Sequence, residues 1–85
     1  MRQSMMKLFG DREDPRIRIR ETYWPDAADP QAAAIHWAVA AIRARGLDPK
    51  DPRDGIAAVA ALRAAKPELT LKTAAFLARS AGNSA

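Results

Sequence analysis

Residues 30–45, PQAAAIHWAVAAIRAR, decide how the rest of the chain is read. Asp29 precedes them as an N-cap, and Pro30 fits the first helical position, where no backbone N–H is missed. Seven alanines and no glycine give the stretch high helix propensity. Gly46 follows, where a left-handed residue ends a helix, and Leu47 is set to make the accompanying apolar contact. At about 100° of rotation per residue, Ile35, Val39 and Ile42 form one stripe, and Trp37 points the opposite way. Ala33, Ala40 and Ala44 surround Trp37 and would let another backbone come close. Two apolar sides on one helix predict a sandwiched position, within its own small fold or against a partner chain.

Downstream, Asp51-Pro52 repeats the Asp-Pro start, and Asp54 lies in the first turn, where the helix dipole favours an anion. The spacing predicts a helix over 52–65, with Ile56, Val59 and Leu62 as its stripe and Pro67 as its stop. Thr70 caps a further helix over 71–81, with Leu69 placed as a hydrophobic staple. Leu71, Ala74, Leu77, Ala78 and Ala81 line one side of it, and Phe76 leans away. Gly82 ends it, leaving 82–85 as a frayed tail. AVAAIRARGLDP at 38–49 is echoed by AVAALRAAKPEL at 58–69. Two copies are too few for a solenoid.

Upstream, RIRIRETYW at 16–24 alternates strictly, with Arg16, Arg18 and Arg20 on one face and Ile17 and Ile19 on the other, which predicts a strand. A lone strand leaves its backbone groups unpaired. Residues 4–9 are expected to pair with it as a hairpin, or the same strand of a second chain does so across a two-fold axis. Residues 1–15 are expected to be a partly flexible N-terminal segment carrying Met5, Met6, Leu8 and Phe9. The expected fold is mostly α, of α+β type: a short N-terminal β segment or hairpin followed by a three-helix arrangement, in one small domain over 1–85.

The chain has 85 residues and a net charge of +4, with an isoelectric point near 10.1 that favours anionic partners. Cysteine is absent, which excludes disulfides and cysteine-based zinc sites. No run approaches the ~18 apolar residues of a membrane span. The start, MRQSMMKLFGDRED, lacks a sustained apolar core and a cleavage site, so a cytoplasmic location is expected, with no membrane partner. The Ala, Arg, Asp and Pro bias suggests a GC-rich bacterial genome.

His36 is the one histidine, without a carboxylate four residues away to share a metal. Asp14, Asp29, Asp48 and Asp51 each stand at an Asp-Pro step or a turn and read as helix punctuation. No catalytic, cofactor-binding or metal residues are therefore named. The Arg16, Arg18 and Arg20 stripe would space guanidiniums roughly 6.5–7 Å apart, close to phosphate spacing; otherwise it is a solvated face that blocks edge-to-edge pairing. Lys72, Thr73 and Arg79 would lie on the reading helix of a helix-turn-helix-like pair, although the connection KPELT lacks the usual glycine. Trp24, Trp37 and Phe76, off the main stripes, suit a partner interface. The expected function is a small non-catalytic interaction module that binds itself or another protein. The alternative is a nucleic-acid-binding accessory or regulatory protein.

Overall fold

The computed structural model describes residues 14–84, and among them every regular element is helical. A short helix, α1 (Pro15–Arg18), runs straight into a π-helical segment, Ile19–Tyr23. α2 spans Pro30–Ala44. A 3-10 turn, Pro52–Asp54, leads into α3, Gly55–Ala65, and α4 covers Leu71–Ser84. α4 packs extensively on both α2 and α3, which also touch each other; α1 lies against α4, and the π-helical segment lies against α2.

The predicted strand at 16–24 is helical instead. Asp14-Pro15 is a third Asp-Pro helix start: the Asp14 carboxylate accepts from the Arg16 N–H at 2.9 Å, and Pro15 occupies the first turn. A strand also needs a ladder, and none is offered among the described residues. Its proposed hairpin partner, 4–9, lies outside them. In a helix, positions two apart point about 200° from each other, so only one isoleucine can face inward. Ile19 is fully buried, whereas Ile17 is 39% exposed. The Trp24 N–H closes onto the Ile19 carbonyl at 2.9 Å, a five-residue step that defines the π turn.

The ends of α2 are as expected. Asp29 accepts from the Ala32 N–H. Gly46 has φ +76°, Leu47 N–H reaches the Ile42 carbonyl at 3.2 Å, and Gly46 N–H reaches that of Arg43 at 2.9 Å. Together these make a Schellman cap. Its apolar sides are arranged differently from the expectation. The buried residues are Ala34, Ala38 and Ile42, with Trp37 half-buried on one flank and Ile35 and Val39 on the other. The two stripes are the margins of one apolar arc about 200° wide whose floor is alanine. Ala40 and Ala44, expected to receive a neighbouring backbone, are exposed.

α3 is rotated from its predicted stripe. It buries Ala58, Ala61 and Leu62 and leaves Ile56 88% exposed. The sequence echo is a packing echo: Ala38 and Ala58, and Ile42 and Leu62, are buried at equivalent positions. Thr70 caps α4 as expected, its Oγ1 accepting from the Thr73 N–H at 3.1 Å, and Leu69 is buried. Gly82 does not end α4, which continues to Ser84. A Cβ on Gly82 would stand 2.7 Å from the Pro49 carbonyl oxygen, so glycine here lets α4 press against the 46–51 loop.

Two glycines should therefore answer oppositely to the same change. Gly55→Ala meets open space in a helical backbone and is expected to gain about 0.5–1 kcal/mol. Gly82→Ala must displace a backbone carbonyl, and a lower thermal midpoint is expected despite alanine's better propensity. Calorimetry on both variants checks the sign.

The caps also give the stability a direction with pH. The Arg16 side chain, through its hydrogen bonds, holds the Asp14 carboxyl below its ordinary value near 3.8, and Arg53 does the same for Asp51. Native values below the unfolded ones mean that the contribution is complete above about pH 4 and is lost as pH falls through the lowered values. Urea midpoints should fall as pH drops below about 4, and less so in the Asp14→Asn, Asp51→Asn double variant, which keeps capping oxygens without the charge.

Candidate functional site

Trp24 and Trp37 are used by the fold itself. Their rings lie 5.5 Å apart, Tyr23 meets Trp24 edge-on at 6.3 Å, and the Lys66 ammonium sits 5.2 Å from the Trp24 ring. The Tyr23 hydroxyl donates to the Glu68 carbonyl at 2.9 Å. The cluster clamps the π-helical segment onto α2 and onto the connection between α3 and α4. Both tryptophans are half-buried against the core, as is Phe76.

The arginine stripe does not exist as a stripe. On a helix, Arg16 and Arg20 share a side and Arg18 points away from both. Arg16 pairs with Asp14 at 3.0 Å, and Arg20 lies 3.6 Å from Glu21. Arg18 is half-buried. Lys72 and Arg79 share the exposed side of α4, but Thr73, expected beside them, is buried, and its hydroxyl accepts from that of Thr70. α4 is the most enclosed of the three long helices, which leaves it poorly placed to enter a groove of nucleic acid. His36 is exposed, and no described group of three or more His, Asp or Glu is arranged to hold a metal. Asp48 and Asp54 are tied into their loop, the Asp54 carboxylate accepting from the Asp48 N–H and that of Asp48 from the Lys50 N–H.

What the structure brings together instead is an apolar groove along the outer seam of α3 and α4. Ile56, Val59, Ala60 and Ala64 come from α3, Leu71 and Ala75 from α4, and Pro67 closes one end. Ile56 is 88% and Leu71 60% exposed. Single exposed apolar residues are ordinary; here they share one continuous groove. The groove follows from the rotation of α3. Close packing against α4 takes the alanines Ala58 and Ala61 inward, and the larger Ile56 and part of Val59 turn to solvent.

Arg63 is the one charged side chain in the groove's described lining. Its Nε donates to the Leu69 carbonyl at 3.3 Å, which fixes the guanidinium at the rim. No described carboxylate pairs with it.

No protein-family model, no curated protein and no solved structure matches the chain. No described helix is long and apolar enough to cross a membrane.

Sequence reasoning placed Ile56 and Leu71 in the core. The available signal was that Ala58 and Ala61 offer α3 a second apolar side, smoother than the isoleucine side. If Ile56 and Leu71 lie outside the core, Ile56→Lys and Leu71→Lys should each change stability by no more than about 0.5 kcal/mol. Leu62→Ala, in the core, should cost about 2–5 kcal/mol. Chemical denaturation of the three variants separates the two classes.

Proposed function

We propose that this chain is a small protein-interaction module, acting by docking rather than by catalysis, and that the α3–α4 seam is its docking surface. The observation that carries the proposal is the inverted burial of α3. The helix hides Ala58 and Ala61 and presents Ile56 to water, next to Leu71 of the neighbouring helix. Covering Ile56, Leu71 and the exposed side of Val59 would remove apolar area at roughly 25 cal/mol per Å², a gain the isolated chain forgoes. Two helices side by side also present the shallow trough that accepts a third helix through anchors at i, i+3 or i+4, and i+7.

The nucleic-acid alternative keeps the net charge of +4 but loses the strand face that gave it phosphate spacing.

A photo-crosslinking residue at position 56, introduced in the cells of origin, tests the docking surface. Adduct formation is expected from position 56 and is expected to be lost when Leu71→Asp is added. Position 40, exposed on α2 away from the groove, serves as the control. Equal adducts from 56 and 40, or none from 56, would overturn the proposal.

A further inference from the structure

The seam also indicates what kind of partner it takes. Resting on its role as a docking surface, we infer that its occupant is an acidic amphipathic helix, with apolar side chains between Ile56 and Leu71 and a carboxylate on Arg63. The apolar part of the trough runs along α3, whose 11 residues extend about 16 Å, or three turns of an incoming helix. Apolar residues on one stripe of that helix fill the space over Val59, Ala60 and Ala75. The charge then selects among amphipathic helices. Arg63 stands at the rim with its Nε committed to the Leu69 carbonyl, so the terminal amino groups of its fork are held in place without a described carboxylate. A preset guanidinium recognises a carboxylate through two parallel donors and loses little freedom in doing so.

The same argument sets aside two other occupants. A second copy docked through this face has no carboxylate in the described lining to answer Arg63. The chain's own N-terminal apolar cluster, Met5 to Phe9, contains Lys7 and no carboxylate, and its nearest acids, Asp11 and Glu13, lie beyond Gly10 and beside Arg12. An acidic helix satisfies both the apolar floor and the cation at the rim.

The probe is a fluorescein-labelled amphipathic peptide of about 14 residues, with leucines at i, i+4 and i+7 and a glutamate on the flank that faces Arg63. Its twin carries lysine at that position. Both are titrated with the full chain by fluorescence anisotropy. The glutamate peptide should bind about five- to tenfold more tightly than the lysine twin. Arg63→Glu should reverse that order, and Ile56→Asp should abolish binding of both. Far-UV circular dichroism confirms that these exposed positions leave the fold intact. Equal affinity for the twins, or an order unchanged by Arg63→Glu, overturns the inference while leaving adducts at position 56 to support the docking surface. A position-56 adduct of twice the chain's mass overturns it in favour of a second copy. An adduct within one chain to residues 1–13 overturns it in favour of the chain's own N-terminus. Absence of any adduct at position 56 removes the docking surface itself.

Discussion

Close approach of helices over alanine is the constraint on which this fold depends. Of the eleven buried apolar residues among those described, six are alanines: Ala34 and Ala38 in α2, Ala58 and Ala61 in α3, and Ala74 and Ala81 in α4. Small side chains bring backbones near enough for dispersion contacts along the whole seam. They contribute little burial of their own, so Ile19, Ile42, Leu62, Leu69 and Leu77 supply most of the hydrophobic term. Gly82 against the Pro49 carbonyl extends the same logic from helix–helix to helix–loop packing. A core of this kind is thin, and it has room for few large residues. Some of those the sequence provides are consequently left outside.

That constraint explains which parts of the structure were legible in the sequence. Three helix ends were, because they are set by local hydrogen bonding: Asp29 and Thr70 cap where their side chains can reach, and Gly46 ends α2 in the left-handed conformation, whereas α4 runs through Gly82 to Ser84. The rotation of each helix about its axis was not. Phase is read from the contrast between apolar and polar sides, and alanine on the competing side weakens that contrast. α3 illustrates the point: Ile56, Val59 and Leu62 form a better stripe by hydrophobicity, whereas Ala58, Ala61 and Leu62 form the better surface for close packing. The second criterion prevails.

The segment 16–24 failed for a different reason. Alternation of arginine and isoleucine matches a strand, but alternation is a statement about side chains, and a strand also needs a neighbour for its backbone. A helix satisfies its own. The Asp14-Pro15 start was present in the sequence, identical in kind to Asp29-Pro30 and Asp51-Pro52, and it outweighs five residues of period two. With the strand went the arginine face, and with the rotation of α3 came the seam around Ile56 and Leu71. The candidate site was thus hidden by the same alanine ambiguity that hid the helix phase.

Tyr23, Trp24, Trp37 and Lys66 meet in one joint, and Trp24 and Trp37 are the chain's two tryptophans. Ultraviolet emission from this protein is therefore a local gauge. It follows the π-helical segment lifting from α2 and from the connection beyond α3, and it registers loosening elsewhere only when that joint opens too. A melting curve followed by fluorescence and one followed by helical dichroism would be watching two different parts of the molecule, and a gap between them would measure how tightly the N-terminal clamp is coupled to the alanine seams.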